Sequence, residues 1–171
     1  MKHCVICGGE FEPRRMGQKT DAPICEAERK RQIRIRKDRK ERLKTRREWI
    51  DDAQKAFNAY IRARDSERTC ICCGVAFGNS LVGGAVDAGH YRSTGSAPHL
   101  RFNEDNCNAQ RKQCNRYGAG RAVDYRIGLI SRIGLERVEA LEADNTPRKF
   151  SIDELRALRD HYRAKLKELK A

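Results

Sequence analysis

Apolar positions in this chain gather into a few helical stripes separated by long polar stretches. The clearest stripe is Trp49, Ala53, Ala56-Phe57 and Tyr60-Ile61, whose spacing places them on one face of a helix. Asp51 and Asp52 near its start and Arg62 and Arg64 near its end suit the helix dipole. Beyond Gly120, Val123, Ile127, Ile130 and Ile133 predict a helix that stops at Gly134, and Leu135, Val138 and Leu141 a short one after it. Ser151-Ile152-Asp153-Glu154 is a capping-box pattern, and it opens a terminal helix with a seam of Leu155, Leu158, Tyr162, Leu166 and Leu169. That seam serves equally as an internal packing face or as half of a homodimer interface. Between residues 74 and 89 the pattern changes to Val75, Phe77, Leu81, Val82 and Val86, punctuated by Gly78-Asn79 and Gly83-Gly84. This predicts a hairpin whose second strand carries Asp87 and His90. Ser93 to Asn106 reads as a loop, with a short helix starting near Cys107.

The stretch from Glu26 to Glu48 has no such stripe. Twelve basic residues (Arg29, Lys30, Arg31, Arg34, Arg36, Lys37, Arg39, Lys40, Arg42, Lys44, Arg46 and Arg47) face five acidic ones, with no glycine or proline. It predicts a helix polar all round, which no core holds. It carries +7 of the chain's +13 net charge, which points to a polyanionic partner, most simply nucleic acid. Charged residues make up 36% of the 171 positions and hydrophobic ones 39%, too few apolar residues for one large core. The expected class is therefore α+β, mostly helical, with a small metal-stapled nucleus. The expected organisation is a zinc knuckle at 1–25, a basic arm at 26–48, a catalytic core at 49–120 and a helical region at 121–171.

Eight cysteines could form disulfides in a secreted chain. No apolar targeting segment precedes them, and no run reaches the ~18 apolar residues of a membrane span. The expectation is a cytoplasmic protein whose close cysteine pairs bind metal. Cys4-x-x-Cys7-Gly8 has the form of a zinc knuckle, with Cys25 as a third ligand and Asp21 or His3 competing to be the fourth. A second Cys-x-x-Cys-Gly runs from Cys70 to Gly74, and Cys114 precedes Asn115.

Between those sulfur groups lie the residues that phosphodiester cleavage needs. A neutral histidine, His90, can act as general base. Asp87 and Asn115 offer one anionic and one neutral oxygen to a hard ion such as Mg²⁺ or Mn²⁺. Arg92 and Arg101 flank this group as candidate phosphate clamps. Tyr91, Leu100 and Phe102 read as core.

The pattern Cys-x-x-Cys, Asp-x-x-His, Asn, Cys-Asn resembles the ββα-metal (HNH) nucleases in their endonuclease VII-like form. More closely, Asp87–Arg92, Ala97–Glu104 and the Trp49–Asp65 helix resemble the NinG (Rap) family of lambdoid phage recombination proteins. That resemblance implies a Mg²⁺-dependent endonuclease acting on branched DNA such as Holliday junctions and D-loops, in the host cytoplasm. It implies His90 as base, Asp87 and Asn115 as Mg²⁺ ligands, and Asn106 as a brace that orients the histidine. It also implies a second Cys-x-x-Cys ending at Cys114, but Arg111 stands at the first position, so Cys107 is the expected stand-in beside Cys70, Cys73 and Cys114. Failing that, Cys72 or water completes the shell. Asp21 likewise stands where the family pattern has cysteine. A non-catalytic zinc-binding nucleic-acid module, or an accessory protein that recruits other recombination proteins, shares the arm and the cysteines. The Asp-x-x-His and Cys-Asn groups distinguish the nuclease from both.

Overall fold

A computed structural model, describing residues 1–77 and 85–171, divides the chain into two units, Met1–Thr45 and Arg46–Ala171. The expected Gly78-Asn79 turn, Leu81, Val82 and the Gly83-Gly84 pair lie outside the described residues. The architecture is α+β and mostly helical, with two small two-stranded sheets among the described residues.

In the first unit, β1 (Lys2–His3) and β2 (Glu10–Phe11) pair antiparallel around the Cys4–Gly8 turn. Helix α1 (Pro23–Arg42) follows, with proline in its first turn, where a missing N–H does no harm. Cys25 is its one buried residue, and every position from 31 to 40 is exposed. The helix ends at Leu43 rather than running on to Glu48, so Arg46 and Arg47 belong to the next helix.

In the second unit, α2 (Arg46–Arg64) buries the expected stripe of Trp49, Ala53, Ala56, Phe57, Tyr60 and Ile61. Arg46 Nε donates to the Phe150 carbonyl at 2.8 Å, tying the start of α2 to the chain just before the last helix. That helix, α5 (Ile152–Glu168), starts with the capping box complete and packs along α2. Phe57 stacks edge-on to Tyr162 at 4.8 Å and to Phe102 at 5.8 Å. The terminal seam is thus used within the chain.

Strands β3 (Val86–His90) and β4 (Cys107–Arg111) pair antiparallel, with Asp87 opposite Gln110 and His90 opposite Cys107. The helix expected from Cys107 is a strand instead. Residues 107–110 are all buried, their backbone groups need partners, and β3 supplies them. The chain winds only afterwards, into a π-helical turn at Gln113–Tyr117.

Helices α3 (Ala122–Ile133) and α4 (Leu135–Ala143) meet at Gly134, whose φ of 87° favours glycine. The face of α3 differs from the expected one. Tyr125 and Leu129 are buried, while Val123 and Ile127 are 75% and 63% exposed. Backbone approach sets this rotation: a Cβ at Gly128 would lie 1.9 Å from the Ile71 carbonyl oxygen. On the same side Tyr125 donates to the Gly89 carbonyl at 2.8 Å. Gly128→Ala should therefore destabilise the protein by about 3 kcal/mol, at the upper end for overpacking against backbone. Val123→Ala should stay within about 0.5 kcal/mol. Urea melts followed by far-UV circular dichroism check both, and equal midpoints for the two variants would refute this orientation of α3.

Candidate metal centres

Asp65, fully buried at the end of α2, sets the position of the second unit's site. Its carboxylate accepts from the Ala109 N–H at 2.8 Å and from Arg64 through both oxygens at 2.8 and 2.9 Å, with Arg132 at 3.5 Å. Burial alone would raise this carboxyl, but Arg64, the Ala109 N–H and Arg132 hold it below the usual range. Arg64 also donates to the carbonyls of Glu104 and Cys107, both at 3.0 Å. The β4 backbone is thereby fixed, and β3 through it.

The 70–74 knuckle docks on this strand. Cys70, Cys73 and Cys114 bring their sulfurs within 4.8 Å of one another and could hold a structural metal ion such as zinc. The Cys72 thiol and the N–H groups of Cys73 and Arg111 pull the Cys70 thiol down to about 4, against its burial. Burial pushes Cys114 up to about 11, reinforced by the Cys73 thiol and the charge on Cys70. A bound dication would favour the thiolate form of all three sulfurs.

Cys107 does not join them. Opposite His90 in the β-ladder, it points toward α2, fully buried, with Sγ 3.7 Å from His90 Nδ1. Its backbone is extended, as a ligand so close in sequence to Cys114 would need. The strand register nevertheless turns the thiol into the aromatic core.

Asn115 follows Cys114 directly, and its Nδ2 lies 3.0 Å from Asp87 Oδ2. Arg116, which the sequence reading passed over, donates from Nε to the same oxygen at 2.9 Å. Its one legible signal was a basic residue directly after Asn115. Burial would raise the Asp87 carboxyl, but Asn115 and Arg116 outweigh it and keep it ionised.

His90 lies three residues further along β3 and so on the opposite face, about 10 Å along the strand at ~3.3 Å per residue. Its Nε2 is 2.9 Å from the Arg101 carbonyl, and its ring lies beside Phe57. Burial lowers its pKa below 6.5, leaving the imidazole neutral at physiological pH. The structure thus brings Asp87 and Asn115 together and leaves His90 across the strand from them.

Asn106 spans the loop between β3 and β4: Oδ1 accepts from the Arg92 N–H at 2.8 Å and Nδ2 donates to the Arg92 carbonyl at 3.0 Å. Arg92 itself is committed to the end of α4. It donates to the carbonyls of Leu141 and Asp144 and to Asn145 Oδ1. Arg101 donates to Gln54 Oε1 at 3.1 Å and more distantly to the Thr94 carbonyl.

In the first unit Cys4, Cys7, Asp21 and Cys25 bring four ligand atoms within 4.8 Å of one another, so this group also could hold a structural metal ion such as zinc. Asp21, not His3, is the fourth member. The His3 ring instead lies 3.3 Å from the Gly8 carbonyl. Burial pushes the Cys25 thiol up to about 12, with Asp21 adding to the shift, while the N–H of Cys7 lowers Cys4.

The His90 environment has a measurable consequence. Its folded pKa lies below its unfolded value near 6.5, so the unfolded chain binds the proton first. Unfolding free energy should be level above about pH 7 and fall as pH drops from about 6.5 toward the folded pKa. His90→Gln should remove that part of the slope, as read from urea midpoints between pH 7.5 and 5.

A family model described as "Bacteriophage Lambda NinG protein" matches residues 3–171. Over 134 residues the chain is 46% identical to "Protein ninG" of Escherichia phage lambda, covering 78% of this chain and 63% of that protein. The corresponding proteins of Escherichia phage 933W and Salmonella phage P22 are 44% and 43% identical over 134 residues, 78% of this chain and 64% of theirs. The chain thus spans less than two thirds of the length of these relatives. No solved structure matches it. With the family match running through both units, the chain belongs to the NinG family of phage proteins.

Proposed function

We propose that this protein is a divalent-metal-dependent endonuclease that cuts branched DNA intermediates of recombination. The observation that carries the reading is the meeting of Asp87 and Asn115 at 3.0 Å, from residues 28 positions apart, directly beside a thiolate centre. A binding module has no need of a carboxylate kept ionised next to a neutral amide at a potential phosphate site.

Asp87 and Asn115 would hold a hard cation such as Mg²⁺ or Mn²⁺, which supplies charge neutralisation at the phosphate and orients the attacking water. A half-turn of the Asn115 amide puts its oxygen, rather than its Nδ2, beside Asp87. Arg116, 60% exposed at its side chain, swings from Asp87 to the phosphate as DNA enters and stabilises the charge that develops there. His90 is already neutral, but it lies across the strand from Asp87 and Asn115, so to take the proton from water it would need a rearrangement of β3 as well as release of its ring from the Arg101 carbonyl. Asn106 holds both ends of the stretch from Arg92 to Leu100, directly before that carbonyl.

Helix α1 supplies affinity. Arg29 and Arg31 are paired with Glu26 and Glu28, while Lys30, Arg34, Arg36, Lys37, Arg39, Lys40 and Arg42 extend into solvent for phosphate contact. Among the described residues no helix is long and apolar enough to cross a membrane.

A labelled four-way junction incubated with and without Mg²⁺ tests the reading. Asp87→Ala should abolish cutting, and His90→Ala should slow it by about 10²- to 10⁴-fold, the usual worth of a general base. Both variants should keep wild-type junction affinity. Cutting by Asp87→Ala at the wild-type rate would assign the activity elsewhere and leave a binding module.

Junction affinity should also weaken steeply with salt. If α1 neutralises about six phosphates, a plot of log affinity against log salt has a slope near −5. Replacing Arg36, Lys37, Arg39 and Lys40 by alanine should flatten that slope by about 3 to 4. An unchanged slope would remove α1 from the DNA contact.

A further inference from the structure

The core thiolate centre has one ligand fewer than a closed zinc site. Cys70, Cys73 and Cys114 make up the group, and no histidine, carboxylate or further cysteine among the described residues joins them. Three positions before Cys114, where a second Cys-x-x-Cys would place its first sulfur, stands Arg111. Cys107 is turned to the aromatic core. Cys72 lies against Cys70, whose thiol it hydrogen-bonds, but its sulfur stays outside the close group, accepting from Gln110 Nε2 at 2.8 Å and directed at the Gly120 carbonyl at 3.7 Å. Zinc takes four ligands, and with three from protein the fourth position belongs to something from outside.

The surroundings select the kind of ligand. Cys73 and Cys114 line a cavity of about 490 Å³ together with Arg111, Gln113, Tyr117 and Arg121, and no carboxylate among the described residues lines it. The backbone of Arg111 serves the centre, its N–H donating to Cys70 Sγ at 3.3 Å. Arg121 hydrogen-bonds to Cys114 and to Asp124. It is held in left-handed backbone at φ 48°, two residues after Ala119 at φ 50°. Such non-glycine conformations persist only where surrounding structure holds them in place. Three thiolates around a dication leave one negative charge, and Arg111 and Arg121 offset it together with Asp124, the partner of Arg121, so the two guanidiniums offer an oxyanion directed donors rather than a net positive field.

We propose that the core thiolate centre completes its coordination with a phosphate-type oxyanion guided by Arg111 and Arg121. The centre is then a phosphate-binding site as well as a staple. The oxyanion is either a nucleic-acid phosphate or free phosphate, and the inference does not rest on the cleavage reading.

Cobalt(II) reports ligand number and kind through its ligand-field bands and its thiolate charge-transfer intensity. The full chain carrying Cys4→Ser, Cys7→Ser and Cys25→Ser, which removes every thiolate of the first-unit centre, is loaded with Co²⁺. The expected spectrum has three thiolates. Its bands should shift saturably with inorganic phosphate in one arm and with a short oligonucleotide in another, and response to the oligonucleotide alone identifies the nucleic-acid source. Arg111→Cys should produce a four-thiolate spectrum that responds to neither. Arg111→Ala should keep cobalt but weaken the phosphate response at least tenfold, and Cys72→Ser should leave the spectrum unchanged. Four thiolates without Arg111→Cys, bands indifferent to both arms, or no cobalt signal that Cys114→Ser removes would each overturn the proposal. Loss of cutting by Asp87→Ala leaves these spectra untouched, so the two readings fail separately.

Discussion

The second unit depends on one buried carboxylate. Asp65 sits at the end of α2 with no exposure, and an ionised group there is tolerable only because Arg64, Arg132 and the Ala109 N–H surround it. Those partners lie on three separate elements, α2, α3 and β4. Satisfying the charge therefore fixes where β4 runs relative to both helices. Asn108, fully enclosed on β4, accepts from Arg64 at 3.2 Å and from Arg132 at 3.0 Å and donates toward Tyr125, which extends the same network across the sheet. With so few apolar residues, a polar network that admits one arrangement does much of what a larger core does elsewhere.

The network's reach explains why the Asp87–Asn115 pair exists at all. Register places Asp87 opposite Gln110, and Gln110 lies close over Gly89, where a Cβ would come within 2.1 Å of its Oε1. A larger residue at 89 would push Gln110 off Cys72 and loosen the knuckle, so glycine in this strand is required by close approach. From β4 the chain turns through the π-helical segment, a rare conformation often found at functional positions. That turn carries Cys114 to the thiolate group and Asn115 to Asp87. Staple and candidate ion site are therefore neighbours in sequence and share one anchor.

Periodicity was readable where one face of a helix was apolar and the other polar, as in α2 and α5, and the capping box at Ser151 marked the start of α5 correctly. It failed for α3. Tyr125, Leu129 and Gly128 form the inward face there, yet Val123 and Ile127 make the more regular stripe. What decides is contact of Gly128 with the Ile71 carbonyl, a long-range event invisible to local pattern. It failed again at β4, where Cys-Asn-Ala-Gln alternates for only four residues, none of them β-branched or aromatic, and where both faces are covered, one by the aromatic core and one by Tyr125. Among the site residues, the two thiolate groups were legible from spacing. The exclusion of Cys107 was not, because it follows from strand register and not from distance along the chain.

Charge, finally, separates into two kinds. Arginines in the second unit are largely committed: Arg64 and Arg132 to Asp65, Arg92 to the carbonyls that end α4. Releasing Arg92 to grip DNA would strip the end of α4 of its donors, so that guanidinium belongs to the fold. Arg116 is different, because its carboxylate partner is itself a candidate metal ligand. When a cation takes Asp87, the attraction that held Arg116 is cancelled and the arginine is left beside the position a phosphate would occupy. A net charge of +13 is therefore a poor count of available phosphate contacts. The useful count is of cations whose present partner is water or a group that another ion would claim, and these lie along α1, at Arg116 and around the core thiolates.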